Sequence, residues 1–412
     1  MQSKKFTALK ADEFGDFVAT REQVHFQQTR EFGDVQEGIG HKIAYFGVKV
    51  AGDVQAAMLV SLSKVRFGYL AEAHGNPYFS EDKPVNQMLM SGIKDALKQQ
   101  GVIKFIIHSN QKIATYDDKW EKTADLNTDL TAFYANLGLS ETILSEFEKG
   151  YAFNYSKDLT GFDSFSKLQK SYKKNGLQTV KKAEKLDIKI TEASFEDLAN
   201  FKKVVDEAGE RRNFSTRDLA YYETVFKAYK DKVKFVFATI NFQKEYDVSQ
   251  KKVAELESQI LQLDRELAES DSLKKKKSIE NAYQMLRRER KLDKEIAKSA
   301  GIYGDKDVIL SAAQFFIMPA EILYMFSGMY DEFREFSAPF LIQDYMLKYA
   351  YDHKISSYNF MGINAQSNPD QGVLRFKQNF TGYIWQSSGN YELVIRPVVS
   401  KITAFLKKII GR

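Results

Sequence analysis

Apolar residues along this chain recur at two spacings, and the switches between them lay out its elements. The runs 44–50 and 54–62 are mostly apolar, and they flank Ala51-Gly52-Asp53, the pattern of two strands around a tight turn. Over 85–100 the spacing lengthens to that of a helix, which sets Met88, Leu89, Ile93 and Leu97 on one face. A buried strand is predicted over 102–107, then a helix ending near Leu139 and a strand over 151–155. A second unit of the same kind begins near Phe162. It has basic helices to Glu184, a strand over 188–191, helices over 195–206 and 221–229, and a strand over 234–240. The pattern stops there. It resumes at Val308 with strands through Ile317 and over 322–327, a helix over 338–351 and a strand over 358–361. The fold class is α/β with mixed sheets in two similar units, a duplication of architecture without a residue-level repeat.

The interruption has its own period. Val253, Leu256, Ile260, Leu263 and Leu267 alternate steps of three and four, the seam of a coiled coil, and Ile279, Tyr283, Leu286, Leu292 and Ile296 supply a looser return seam. Ser270-Asp271-Ser272 offers the turn between them. The outgoing stretch 244–271 has four basic and eight acidic residues, whereas 272–300 has ten basic and four acidic. Complementary halves joined by a turn predict an antiparallel helical hairpin over 243–300. Pattern alone favours a spacer or dimerisation element. The basic return helix, with Lys274, Lys275 and Arg287, points instead to a polyanion such as tRNA.

Composition narrows the classes. The chain has 412 residues, too many for one ordinary core, and 55 aromatic side chains supply ample apolar mass for two. It has no cysteine, which removes disulfides, thiolate metal sites and a cysteine nucleophile, and suits a reducing compartment. The five histidines are scattered, with no pair at metal-ligand spacing, so no catalytic metal is expected. The N-terminus lacks the apolar core of a secretory signal, and no run approaches the ~18 apolar residues of a spanning helix. A cytoplasmic protein is expected.

Three stretches have the residue types for chemistry or anion binding. Segment 159–190 holds eight lysines, Lys181 and Lys182 among them, against three acidic residues, a face for nucleic acid or a diphosphate and equally the composition of a solvated helix. Arg211, Arg212 and Arg217 lie within seven residues at the entry to a helix bearing Tyr221, where forked donors can grip phosphate; arginine and glutamate mixed this way also form structural ion pairs. Lys377 is framed by Phe376 and Phe380. A lysine with restricted solvent can stabilise charge developing on an attacked carbonyl, although many such lysines simply snorkel. There is no Walker-type phosphate loop, G-x-S-x-G elbow or HEXXH.

A set of short segments, taken in order, resembles the Fem family of non-ribosomal peptidyltransferases over nearly the whole chain. They are Phe26-Gln27-Gln28 through Gly33, Lys181-Lys182-Ala183, Glu210 through Arg217, and Tyr324-Met325-Phe326-Ser327-Gly328. Later come Ala338-Pro339-Phe340-Leu341-Ile342-Gln343, Tyr358-Asn359-Phe360-Met361-Gly362-Ile363, and Phe376-Lys377. The resemblance implies two acetyltransferase-like (GNAT-like) domains. The first spans 1–158, with a precursor groove and with 385–412 joined to it; the second spans 159–242 and 301–384; the hairpin is inserted in the second. It implies transfer of an amino acid from aminoacyl-tRNA, as co-substrate and without a cofactor, to a stem-peptide amine of a peptidoglycan precursor, commonly at lysine. Carried over by motif, Lys377 steadies the carbonyl oxyanion or an adjacent tRNA phosphate and Phe376 shapes the acceptor-end pocket. Arg217 and Tyr221, with Arg211, hold the precursor's diphosphate, and Lys181, Lys182, Lys274, Lys275 and Arg287 face tRNA.

Three positions depart from the family pattern. A lysine that contacts diphosphate aligns near Gln36, a tyrosine of the second unit appears as Phe326, and an aspartate aligns near Ser109. These losses favour a lipid-linked precursor over a nucleotide-linked one. The tail agrees, since Ile402, Phe405, Leu406 and Ile409 share a helical face with Lys401, Lys407, Lys408 and Arg412 around it, which suits the anionic inner face of a plasma membrane as well as docking on the first domain. Two rival functions remain at this level. An acyl-CoA-dependent N-acetyltransferase wants a glycine-rich pyrophosphate loop, which is missing, and a non-enzymatic coiled-coil nucleic-acid-binding protein needs only the basic faces.

Overall fold

A computed structural model describes residues 3–142, 152–212, 215–269, 273–366, 368 and 371–410. The first half runs β1 (Lys4–Leu9), α1 (Ala11–Ala19), α2 (Arg30–Gly38), β2 (Lys42–Val50), β3 (Asp53–Val65), β4 (Gly68–His74), α3 (Lys83–Gln99), β5 (Val102–Tyr116), β6 (Lys122–Asp125), α4 (Leu130–Asn136), β7 (Ser140–Thr142) and β8 (Phe153–Asp158). The second half begins with α5 (Phe165–Lys170), α6 (Lys174–Ala183), β9 (Lys189–Glu192), α7 (Leu198–Arg212), α8 (Leu219–Tyr229) and β10 (Val233–Asn241). The two arm helices α9 (Phe242–Glu269) and α10 (Leu273–Tyr303) follow. The chain then returns as β11 (Asp307–Ile317), β12 (Glu321–Met329), α11 (Ala338–Asp352), β13 (Ser357–Ile363), α12 (Gly372–Gln378), β14 (Tyr383–Val394) and α13 (Pro397–Ile410).

All these strands belong to one mixed sheet in the order β1-β2-β3-β4-β5-β14-β8-β13-β12-β11-β10-β9, with β6 on β5 and β7 on β14. Its outer parts repeat: strand, two helices, three strands, crossover helix, parallel strand. The crossovers α3 and α11 create the parallel pairs β4–β5 and β12–β13. Where β2 and β3 are joined by Ala51-Gly52, both at positive φ as a two-residue hairpin turn requires, the corresponding pair β10 and β11 is joined by the arm. This is the mixed α/β class with an inserted helical hairpin that the periodicity predicts.

Burial couples the halves. Aromatics of α1, α2 and the segment before it meet those of α7, α8 and β11 in a shared core, with Phe26 stacked on Phe316 at 4.4 Å. The Tyr229 hydroxyl donates to the Phe26 carbonyl at 2.7 Å, and Thr29 caps α2 by accepting from the Phe32 N–H. From the other end of the chain, β14 inserts between β5 and β8, and Tyr391 stacks on Tyr134 at 4.0 Å inside the first half's own core.

The arm follows its charge pattern. At ~1.5 Å per residue its two helices reach roughly 40 Å. Lys252 pairs with Glu289 at 2.7 Å, Arg290 with Glu257, and Gln250 donates to Asp293 across the seam. Ile260, Ala282 and Leu286 are buried between the helices with Val253, Leu256 and Leu263 beside them. Tyr283 is a correction to the expected seam: it is exposed and its hydroxyl donates to Asp264, because the smaller Ala282 takes the inward position. The expected turn at 270–272 lies outside the described residues. At the base, Ile296 and Ala300 join Phe242 in the second half's core.

Candidate functional site

The site begins with a parting of strands. β12 and β13 pair only from Glu321 opposite Ser357 to Leu323 opposite Asn359, and then separate. On the other edge of β13 the register with β8 shifts between Asn359 and Gly362. At that bulge Met361 takes φ +62, a left-handed conformation rare for a side chain of this size. Asn359 holds it there, its Oδ1 accepting from the Met361 N–H at 2.8 Å. Strained backbone of this kind persists where the surroundings over-determine it. Its effect is to present two successive carbonyls to one lysine.

That lysine is Lys377, on α12. Its Nζ donates to the Met361 carbonyl at 2.9 Å and to the Gly362 carbonyl at 2.6 Å. The residue is 4% exposed, and no carboxylate pairs with it among the described residues. Burial therefore lowers its pKa from 10.5 to about 7. An ammonium carries three donors. Two are committed to carbonyls, which leaves the third for the space in front. Phe376 stands edge-on to Phe340 at 5.1 Å and walls that space.

The space is a cleft of about 1210 Å³ that runs from Lys377, across the parted strands, to the face of the first half. Its far end is polar. Glu72 and His74 sit two apart on β4, and His108 lies directly across from His74 in the parallel register. The His74 and His108 rings stack at 4.5 Å with their planes nearly parallel. His108 Nε2 meets Glu72 at 2.8 Å and its Nδ1 meets Asn390 Oδ1 at 2.8 Å. Burial holds His74 and His25 neutral, each with its pKa down at about 4. This corrects the expectation of scattered histidines: 34 residues separate His74 from His108 in sequence, and the α3 crossover makes them neighbours. Glu72, His74 and His108 have ligand-type atoms within 4.8 Å of one another. In this geometry a hydrogen bond joins Glu72 to the His108 ring, and the His74 and His108 rings stack.

Similarity to known proteins agrees with this architecture. The profile of the FemAB family matches residues 9–408. The chain belongs to the FemAB family. The aminoacyltransferase FemA of Staphylococcus aureus strain bovine RF122 / ET3-1 is 26% identical over 435 residues, covering 99% of both chains, and FemA of strain N315 matches to the same extent. The crystal structure of FemX superposes with a TM-score of 0.77 at 18% identity, covering 97% of this chain and 99% of that one. The fold of this FemAB chain is therefore that of FemX.

The structure distributes the expected FemAB site residues unevenly. Lys377, Phe376, Arg211 and Phe326 all line the cleft. Arg217 and Tyr221 do not: the Arg217 guanidinium lies over the Tyr221 ring at 5.2 Å, and that ring stands edge-on to Phe326 at 6.3 Å, one layer behind the wall. Gln36 is also outside. It is buried on the inner side of α2, where its Oε1 meets His41 Nδ1 at 2.8 Å, because burial of α2 in the shared core turns it away. Lys181 and Lys182 are exposed in the last turn of α6, and Lys274 and Arg287 are exposed on α10. Lys275 is partly engaged, donating to the Glu266 carbonyl across the arm at 3.2 Å.

Sequence reasoning missed Arg334. Asp331 bridges it to Arg211, pairing with Arg334 and accepting from Arg211 at 3.2 Å, while Arg211 also donates to the Met329 carbonyl. Two guanidiniums thus share one edge of the cleft near the start of α11. Arg334 lies in a short 3-10 segment among acidic and aromatic residues, where neither spacing nor charge sets it apart.

Proposed function

We propose that this chain moves an amino acid from aminoacyl-tRNA to an amine on the stem peptide of a peptidoglycan precursor, with aminoacyl-tRNA as co-substrate and no cofactor. Membership of the FemAB family and likeness to FemA, an aminoacyltransferase, set the reaction class. The observation that carries the reading is Lys377, a buried cation with one donor left for the cleft. The amine nitrogen attacks the ester carbonyl carbon, and negative charge collects on the carbonyl oxygen beside that donor. The ester C–O bond then breaks, the amide forms, and the proton released by the amine ends on the ribose oxygen that leaves. The chain has no cysteine to form a thioester, so a direct reaction between two bound substrates fits it best. Holding both in register supplies much of the rate, since orientation is worth ~7–11 kcal/mol.

The cleft is long enough to separate the two ends of this task. The tRNA acceptor end belongs at Lys377, Phe376 and the Arg211–Arg334 edge, and the precursor belongs toward the first half. The exposed lysines of α6 and the basic face of α10 support a tRNA body lying along the second half and the arm. Incubation with mixed aminoacyl-tRNAs and lysine-containing precursors, followed by mass spectrometry, is expected to show one added residue. Lipid-linked precursor is expected to be consumed faster than nucleotide-linked. If every charged tRNA survives intact with both acceptors, the proposal fails.

A lipid-linked acceptor brings the enzyme to a membrane surface. No helix among the described residues is long and apolar enough to cross one. Yet α13 exposes Val398, Ile402 and Phe405 at spacings of four and three, with Lys401 beside them. The further tail side chains expected to join this face, at 406–412, lie outside the described ones. We assign this face to an anionic lipid surface, on which apolar burial and positive charge act together. Vesicles containing phosphatidylglycerol are expected to sediment the protein, and Ile402→Glu with Phe405→Glu is expected to abolish it. Equal sedimentation with neutral vesicles, or of the double variant, removes the assignment.

A further inference from the structure

The charges that line the cleft are sorted by half. Among the described residues, Glu72 and Glu141 come from the first half, whereas Arg211, Arg334 and Lys377 come from the second. A polyanion is drawn to one end and a cation to the other. The transfer chemistry at Lys377 uses the positive end and leaves the negative one without a task.

At that negative end Glu72 and His74 of β4 and His108 of β5 face the cleft, with Leu70 and Ile106 on the same side of the sheet. The Glu72 side chain is 21% exposed, so a ligand in the cleft reaches it. Burial opposes its charge, but the hydrogen bond with His108 and the nearby histidines outweigh burial, and its pKa is lowered. Glu72 is therefore a carboxylate at neutral pH. Its Oε1 is taken by the His108 ring. Its Oε2 has no hydrogen-bond partner among the described residues. The His74 ring stacks on His108 and stands edge-on to Phe32, and its nitrogens likewise lack a partner among the described residues. Because burial keeps that ring neutral, it offers a lone pair and does not repel a cation.

Two acceptors, one charged and one neutral, thus line one end of the cleft. Ligand-type atoms of Glu72, His74 and His108 lie within 4.8 Å of one another. A donor group ~2.8–3.0 Å from each of two acceptors bridges a gap of that size, and a primary ammonium has three donors with which to do it. A metal ion fits less well. Imidazole lone pairs lie in the ring plane, and two stacked rings whose planes are 4° apart do not aim at one ion. The substrate with a matching group is the acceptor, since an alkyl amine such as a lysine side chain is protonated at neutral pH.

We infer that Glu72 and His74 bind the acceptor's protonated primary amine, Glu72 Oε2 through an ion pair and a His74 nitrogen through a hydrogen bond. This rests on the aminoacyl-transfer reading and names the group that its acceptor end recognises. The step is binding alone: the amine is held as an ammonium and gives its surplus proton to water before it attacks.

The test measures Kd for a lysine-containing precursor and for the same precursor with norleucine in place of lysine, which removes the ammonium. The unaltered enzyme is expected to bind the lysine form about 10-fold tighter, the lower end for hydrogen bonds to a charged group. Glu72→Gln keeps a partner for the His108 ring and removes the charge, and it is expected to bring the two affinities within about twofold of each other. His74→Phe keeps a stacked ring without the acceptor and is expected to leave a preference of about threefold. Both variants are expected to bind a non-reactive, amide-linked aminoacyl-tRNA as the wild type does, which shows that the cleft is intact. In turnover their loss is expected in KM for the acceptor more than in kcat. Equal binding of the two precursors by the unaltered enzyme overturns the inference, as does a preference that Glu72→Gln leaves unchanged. A preference that appears only when zinc is added makes the cluster a metal site and overturns it as well. Absence of transfer by an enzyme that still prefers the lysine form sinks the transfer reading and leaves the ammonium site standing.

Discussion

Lys377→Met is expected to lower the turnover of aminoacyl transfer by ~10²–10³-fold, the effect of removing one oxyanion donor, while the protein stays folded. Methionine fills the same space without a charge, and the two carbonyls of Met361 and Gly362 lose only a donor. The pH dependence gives a second readout. With its pKa lowered to about 7, Lys377 is an ammonium below that pH in the free enzyme and loses its proton above it. The oxyanion donor is thus present at low pH and lost as pH rises, so kcat/KM for the wild type is expected to carry a falling limb above about 7 that the methionine variant lacks. Stability runs the other way. Between about 7 and 10.5 the unfolded chain holds a proton on this lysine that the folded chain does not, so folding releases a proton there; it is penalised most below about 7, where the folded lysine must be charged in a buried place. Across the window the slope has the sign of the extra proton on the unfolded chain, and stability rises with pH. Denaturant melts at several pH values are expected to show this slope in the wild type and its loss in the variant. Unchanged turnover in a folded Lys377→Met protein removes the assigned role.

How much of this is legible in the sequence differs from element to element. The helix at 85–100 and the arm announce themselves because long amphipathic periods are unambiguous. β4 escapes the pattern, since Gly68-Tyr-Leu-Ala-Glu-Ala-His mixes small and polar residues, and several of them face the cleft instead of a core. β14 is hidden in the closing segment for a similar reason: it crosses between the two halves and has to satisfy different neighbours on each edge. The lysine of the site stands out through its aromatic frame and the family resemblance, but the reason for its burial does not. That reason is the left-handed bulge at Met361, and no residue type in Tyr358-Asn359-Phe360-Met361-Gly362 demands a bulge where it falls. Arg334 and the Glu72–His108 pair share this character. Each owes its place to a contact between separate segments, which periodicity and local spacing do not encode.

Replacing Gly328 by alanine is expected to cost the enzyme both stability and activity. Gly328 is in β12 under α7, and the helix comes so near that an added Cβ would stand 2.1 Å from the Val204 carbonyl oxygen and 3.0 Å from the Val205 nitrogen. Those are backbone atoms, so no rotamer change relieves the clash. The helix has to lift by about an ångström, and overpacking of that kind costs ~1–3 kcal/mol. Since α7 bears Arg211 at its C-terminal end and β12 bears Phe326, lifting one from the other moves the guanidinium edge of the cleft relative to its aromatic wall. The melting temperature is expected to fall by several degrees, and the rate of transfer to fall further than the loss of folded protein explains. Gly301→Ala is the control. That glycine lies near the end of α10, and nothing comes within 4 Å of the place an added Cβ would take. Alanine there is expected to leave transfer intact and to raise helix stability by up to ~1 kcal/mol. If Gly328→Ala melts and turns over like the wild type, α7 is not held against β12 as closely as the cleft requires, and the placement of Arg211 beside Arg334 loses its support.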